Sequence, residues 1–122
     1  MREVILIKDY TKERIKSYLK DLTQCMGVSG SEQEVTQYLF KKLEKVADEV
    51  KVDREGNVIA IKKGSINGPN LMISAHSDEV GLCVKNILNN GYIVFDRIGG
   101  VPDYVLQGRK VWISSKKIPG II

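Results

Sequence analysis

The sequence is poor in the residues that build metal centres and disulfide frameworks. Its 122 residues include one histidine, His76, and two cysteines, Cys25 and Cys83. The cysteines lack the close spacing of a zinc-binding pair, and the N-terminus lacks the apolar stretch of a secretory signal, so we expect free thiols in a cytoplasmic protein. No apolar run approaches the roughly 20 residues of a membrane-spanning helix. We therefore predict no membrane partner.

Charged residues of one sign are also not strongly clustered along this sequence. The formal net charge is +4, and the basic residues are scattered, with only small pairs such as Lys41-Lys42 and Lys116-Lys117. A nucleic-acid surface favours a denser basic stripe with exposed aromatic side chains. Solubilising lysines explain the net charge better, and we predict no nucleic-acid partner.

Helical periodicity is confined to the N-terminal part of the chain. Apolar spacing predicts a first helix over residues 9–24 or 11–24 and a second over residues 31–47. The second helix begins with a pattern typical of a capping box, in which the Ser31 hydroxyl accepts the amide of Glu34 and the Glu34 side chain bonds back. Each helix has one apolar face, which indicates that it packs against another part of the protein.

The rest of the sequence is predicted to be β-structure. Alternating patterns and turn residues predict two hairpins and a last strand: 49–53 with 57–61, 82–88 with 92–96, and 110–114. Residues 71–75 are apolar without alternation, which is typical of an inner strand buried on both faces of a sheet. Residues 116–122 resemble a turn entering another strand, so we expect the sequence to be a piece of a longer protein.

The predicted strand over residues 71–75 leads directly into His76, followed by Asp78 and Glu79. This pattern predicts that an imidazole and carboxylates reach a crevice at the strand end. Residues two apart on an extended segment share a side, so Asp78 can accept a hydrogen bond from His76. In a metal-bound histidine that contact fixes the tautomer and raises ligand basicity. A second interpretation stays open, because a lone histidine is more often a structural or surface residue, and both carboxylates also fit a solvated loop.

Several segments, taken in order, resemble the M42 family of metalloaminopeptidases. This family includes glutamyl and deblocking aminopeptidases, and some members were named endoglucanases or cellulases. Residues 71–82, LMISAHSDEVGL, resemble its first metal-ligand motif. Other similar segments are GVSGSEQEV at 27–35, DREGNVIA at 53–60, IGGV at 98–101 and VLQGRKV at 105–111. The resemblance runs from about residue 19 to residue 122 and depends on the order of the motifs.

This resemblance implies an α/β fold in two parts. Residues 1–80 would be the N-terminal part of a zinc-peptidase-like α/β domain, and residues 81–122 the truncated start of an inserted small β-barrel domain used for dimerisation. The implied reaction is the removal of N-terminal residues from peptides by a dinuclear metal centre of zinc or cobalt. His76 would be a ligand of one metal and Asp78 the catalytic carboxylate that orients it, whereas Glu79 is given no role. The implied assembly is a homo-oligomer built from dimers, up to a dodecamer.

The sequence also departs from the family pattern. In that family the bridging aspartate, the general base and the remaining ligands lie later in the chain, and one histidine cannot supply both terminal imidazoles. We therefore expect this chain to be inactive by itself, and it need not hold a metal alone. Met26 stands where the family often has proline before Gly27, which affects loop stiffness. The alternative is a complete, non-catalytic β-rich binding module, and a reading frame that continues into later His, Asp and Glu motifs would argue against it.

Overall fold

The computed structural model describes residues 12–66 and 68–122. Within these ranges two α-helices precede six strands, which pair as three separate antiparallel hairpins, and a 3-10 helix at Asp103–Val105 lies between the second and third hairpins. The helices are α1 (Lys12–Gln24) and α2 (Gln33–Leu43). The hairpins are β1 (Glu49–Val52) with β2 (Val58–Ile61), β3 (Gly81–Ile87) with β4 (Ile93–Ile98), and β5 (Lys110–Ile113) with β6 (Ile118–Ile121).

Both predicted helices are present, with corrections at their ends. α1 ends at Gln24 as predicted, and its predicted start lies outside the described residues. The predicted capping box is wrong: no side chain caps α2, and the Glu34 carboxylate instead accepts the amide of Met26 at 3.1 Å. Regular α2 ends at Leu43, and a hydrogen-bonded turn carries the chain to Ala47. The capping prediction failed because it considered only local partners, whereas the amide before the Gly27 loop competes for the same carboxylate.

Polar contacts hold α1 and α2 together. The Tyr38 hydroxyl donates to Asp21 Oδ2 at 2.9 Å, and Lys42 Nζ lies 3.7 Å from the same oxygen. Lys42 also lies over the rings of Tyr18 and Tyr38, at 5.3 and 5.1 Å from their centroids. These contacts join the second half of α1 to α2 and so help to fix the ends of the loop between the helices.

The β1–β2 hairpin is confirmed and is closed by Asp53. Its carboxylate accepts the amides of Glu55 and Asn57 at 3.1 and 2.8 Å, and the Asn57 side-chain amide at 2.9 Å. These bonds, those of Asn57 first, hold the pKa of Asp53 below its usual value. Gly56 supplies the positive φ of 89° that the turn requires. α2 packs on this hairpin, and its Val35 is the one buried apolar side chain in the described part of the chain.

The C-terminal strands also agree with the sequence predictions. β3 and β4 pair around Asn90-Gly91, where Gly91 has a φ of 87°, and a register shift lies between Val84 and Asn86. β5 lies at the predicted position, and β6 pairs with it in the segment predicted to enter another strand. Within the ranges that the structure describes, the three hairpins stay separate sheets, so the inserted barrel is not formed there. The domain boundary near Val80 stays a prediction.

The predicted buried strand at residues 71–75 is wrong for this chain. These residues form no regular strand, and the side chains of Leu71, Met72 and Ile73 are 86%, 87% and 86% exposed. The apolar pattern favours a covered strand, but no strand in the described ranges pairs with it. The apolar faces of the helices are similarly open, since Ile15 and Leu19 of α1 are more than half exposed. None of the described helices has the length and apolar character that crossing a membrane requires.

Candidate metal site

The candidate site lies where the loop after α1 meets the chain just before β3. Glu79 N donates to Gly27 O at 2.7 Å, and Ser29 N donates to Glu79 O at 3.3 Å. The two segments therefore run side by side as a short parallel bridge between Val28 and Glu79. Through this bridge, residues about 50 positions apart in the sequence are fixed next to each other.

Two glycines allow this close approach. A Cβ on Gly81 would lie 2.5 and 2.7 Å from the two γ-methyl carbons of Val28. A Cβ on Gly27 would lie 3.1 Å from a methyl of Val35 and 3.3 Å from the carbonyl of Ser77. Gly81 therefore provides the space for Val28, and Gly27 lets the chain around Ser77 pass beside α2.

His76 and Asp78 make the contact that the sequence predicts. His76 Nδ1 lies 3.0 Å from Asp78 Oδ1 and 3.1 Å from the Asp78 carbonyl oxygen. Both partners can only accept, so the arrangement fits a neutral imidazole with its proton on Nδ1. Nε2 then carries the free lone pair that a metal requires. The His76 side chain is 86% exposed, so the predicted crevice is wrong for the part of the protein that the structure describes.

A second bond holds the other oxygen of the same carboxylate. The Ser29 hydroxyl donates to Asp78 Oδ2 at 2.6 Å. This bond is the largest cause of a lowered pKa at Asp78, and the bond to His76 is the next. Asp78 therefore stays ionised to lower pH than an ordinary aspartate, which suits a group that accepts two hydrogen bonds.

Glu79 joins the loop through its side chain as well as its backbone. Its Oε1 accepts the amide of Gly27 at 3.3 Å. A further contact reaches the end of α1 from the β5–β6 turn, where Lys117 Nζ donates to the Gln24 carbonyl at 2.9 Å. Sequence reasoning gave no role to Ser29 or Glu79 in the site. For Ser29 the only signal is its place in the GVSGSEQEV segment at 27–35, and for Glu79 its place beside Asp78 in residues 71–82.

The donor set around His76 is small. Within residues 12–66 and 68–122, no three His, Cys, Asp or Glu side chains lie close enough together to hold a metal ion. An open cavity of about 480 Å³ lies elsewhere, lined by Arg97, Pro102 and residues 99–101. The geometry near His76 therefore fits one imidazole ligand with its orienting carboxylate, the kind of pair that hydrolytic metal centres use.

The two cysteines contribute nothing to this pair. Cys25 is half-buried at the end of α1, Cys83 is exposed in β3, and both are free, as the sequence predicts. Burial raises the pKa of the Cys25 thiol. A protonated thiol is a poor metal ligand, so the candidate site depends on His76 and Asp78.

Residues 56–122 match the model of the M42 glutamyl aminopeptidase family, which is more than half of the chain. The chain therefore belongs to the M42 glutamyl aminopeptidase family, as its motifs predict.

Related proteins agree with this assignment. The chain is 40% identical over 100 residues to a lysyl aminopeptidase of Pyrococcus furiosus, covering 81% of this chain and 28% of that protein. It is 30% identical over 105 residues to a glutamyl aminopeptidase of Lactococcus lactis, covering 83% and 30%.

Solved structures are similar over the same region. An endoglucanase of Thermotoga maritima matches with a TM-score of 0.79 and 38% identity, over 85% of this chain and 33% of that one. A TET aminopeptidase from a marine sediment Thaumarchaeota archaeon matches with a TM-score of 0.72 and 37% identity, over 80% and 27%. The chain thus spans about 30% of the length of the curated relatives it matches.

Proposed function

We propose that the chain is the N-terminal part of a metal-dependent aminopeptidase, in which His76 ligates one of two divalent metal ions and Asp78 orients it. The observation that carries this proposal is the 3.0 Å contact between His76 Nδ1 and Asp78 Oδ1 in a chain of the M42 family. The proposed substrates are peptides with free N-termini, the proposed ions are zinc or cobalt, and the proposed setting is a cytoplasmic homo-oligomer built from dimers.

The roles of the two residues follow from their geometry. Asp78 accepts the Nδ1 proton of His76, which leaves Nε2 as the electron-pair donor toward a metal. Because Asp78 is held on both oxygens, the imidazole plane keeps its direction without help from the open surroundings of the ring. The metal ions, when bound, would polarise the scissile carbonyl and activate a water molecule.

His76 and Asp78 do not supply every group that such an enzyme requires. A general base and the ligands of a second ion are needed for dinuclear peptide hydrolysis. In the proposed function these groups come from the portion of the relatives that this chain does not span. The 122-residue chain should therefore bind a metal weakly and hydrolyse nothing.

An activity assay checks this expectation in two arms. In the first, the pure 122-residue chain is incubated with aminoacyl p-nitroanilides and zinc or cobalt, and we expect no turnover above the protein-free blank. In the second, the chain replaces the matching N-terminal region of the lysyl aminopeptidase of Pyrococcus furiosus, and we expect metal-dependent release of the N-terminal residue. In that chimera His76→Ala should abolish turnover, and Asp78→Ala should lower it about 10- to 100-fold.

Ser31→Ala is the matched control in the chimera, since the Ser31 hydroxyl lies near Gln33 and makes no contact with the site. Clear turnover by the chain alone would show that its own residues complete a site. If the chimera folds, binds metal and keeps its rate after His76→Ala, His76 is not a ligand in the proposed centre.

A further inference from the structure

We propose that Ser29 is a positioning residue: its hydroxyl holds the Asp78 carboxylate in the orientation that keeps the proton of His76 on Nδ1 and Nε2 free. This inference rests on the proposed function, because the free Nε2 matters only if His76 is a ligand. It extends the site across the bridge between the two segments, to a residue 49 positions earlier in the sequence.

The orientation of the His76 ring depends on one residue, Asp78. His76 is a largely exposed side chain, and within the described ranges its ring has hydrogen-bond partners only on Asp78. An exposed imidazole without such a partner exchanges between two neutral tautomers, and the hydrogen bond at one nitrogen selects between them. Of the two acceptors at Nδ1, the Asp78 carbonyl oxygen is fixed by the backbone and neutral, whereas the carboxylate is charged and the stronger acceptor, so whatever orients the carboxylate strengthens the preference of His76 for the Nδ1–H tautomer.

The Ser29 hydroxyl holds the Asp78 carboxylate. The two Asp78 oxygens are divided, with Oδ2 accepting from Ser29 at 2.6 Å and Oδ1 facing His76 at 3.0 Å. A short O–H···O⁻ bond is among the stronger hydrogen bonds in proteins. Without it, a carboxylate whose side chain is 42% exposed can rotate and bind water instead.

Ser29 itself is fixed through its backbone, independently of its side chain. Its amide donates to Glu79 O, and the neighbouring Gly27 carbonyl accepts from Glu79 N. Val28 sits against Gly81, where a Cβ would clash. Removing the hydroxyl should therefore leave the backbone bridge in place and release only the carboxylate.

The presence of one histidine makes the proposal directly measurable. In a ¹⁵N-labelled chain without an affinity tag, a long-range ¹H–¹⁵N spectrum contains the ring signals of His76 alone. At about pH 8.5, where an ordinary imidazole is neutral, the two ring nitrogen shifts report the tautomer ratio. In Ser29→Ala we expect the ratio of Nδ1–H to Nε2–H to fall about tenfold, as loss of a bond to a charged group implies.

Two variants serve as controls. Ser29→Thr keeps a hydroxyl at the same position and should keep the parent ratio. Ser31→Ala removes a hydroxyl from the same loop, away from Asp78, and should also keep it. An unchanged ratio in Ser29→Ala would overturn the proposal, and so would a fall as large in Ser31→Ala.

If Ser29→Ala does not fold, which a collapsed amide dispersion would show, the tautomer ratio is measured in Ser29→Cys instead. The thiol is close in shape to the hydroxyl but is a weak donor, so the ratio should fall in the same direction. A parent-like ratio in Ser29→Cys would overturn the proposal. No metal is present in these spectra, so their outcome is separate from the proposed function, which zinc addition to the unchanged chain tests.

Discussion

Replacement of Met72 and Ile73 by threonine is expected to weaken self-association of the chain about 100-fold. These side chains are 87% and 86% exposed on an extended segment that lacks a strand partner among the described residues. An open apolar segment with unpaired backbone groups favours pairing with another copy, and successive side chains on it point to opposite faces. Burial of each is worth about 1.5–3 kcal/mol; because threonine keeps part of the apolar surface, we use the low end, about 3 kcal/mol for both, which corresponds to about two orders of magnitude in the dissociation constant.

Sedimentation velocity over a concentration series measures this effect. Threonine is branched at Cβ, a shape that extended backbone favours, so the substitutions reduce apolar surface without disfavouring the extended conformation. Ile66→Thr is the matched control, since Ile66 is 84% exposed but stands in a loop without apolar neighbours on either side. The expectation is wrong if the unchanged chain is monomeric throughout, or if Ile66→Thr has the same effect as the double substitution.

Gly81→Ala is expected to destabilise the chain by about 1–3 kcal/mol, as overpacking typically does. The added Cβ would lie 2.5 Å from a methyl carbon of Val28 and 3.2 Å from its Cβ. Val28 is short and branched at Cβ, so its methyl groups cannot move away without a backbone shift. Alanine gains about 0.5–1 kcal/mol over glycine in a strand, which is less than the clash costs.

Urea unfolding and hydrogen exchange of the Glu79 amide together measure this change. The Glu79 amide donates to Gly27 O, so it should exchange faster when Val28 is displaced. Gly100→Ala is the control, because a Cβ there meets nothing within 4 Å and the backbone does not have a positive φ. Equal unfolding midpoints for the two variants would show that the loop does not depend on the space at Gly81.

The hairpins could be predicted from the sequence because their signals are local. Gly91 in the Asn90-Gly91 turn and Gly56 in the first hairpin adopt the positive φ values that glycine favours, and the flanking residues alternate. The contact of His76 with Asp78 is local in the same sense, since residues two apart on extended backbone share a side. Predictions of this kind need only the chemistry of a few neighbouring residues.

The contact between Ser29 and Asp78 could not be predicted in that way. It joins residues 49 positions apart, and it depends on a bridge that forms only because Gly27 and Gly81 leave room. The capping prediction for Glu34 failed for a related reason, since the Glu34 carboxylate accepts the amide of Met26, which lies before the loop and outside α2. The burial predicted for residues 71–75 depends on neighbouring strands. An apolar pattern indicates that a strand is suited to the interior of a sheet, but it does not determine whether strands are present to cover it.

In the proposed site His76 offers Nε2 to a metal while its Nδ1 keeps the proton that Asp78 accepts as a hydrogen bond. Zinc titration of the ¹⁵N-labelled 122-residue chain, followed by the ring nitrogen shifts of its single histidine, tests it directly. We predict that the Nε2 signal shifts with added zinc while Nδ1 keeps the shift of a protonated nitrogen, and that Asp78→Ala weakens this response about 10- to 100-fold. A zinc-induced shift at Nδ1, or no shift of either nitrogen at millimolar zinc, would contradict the claim.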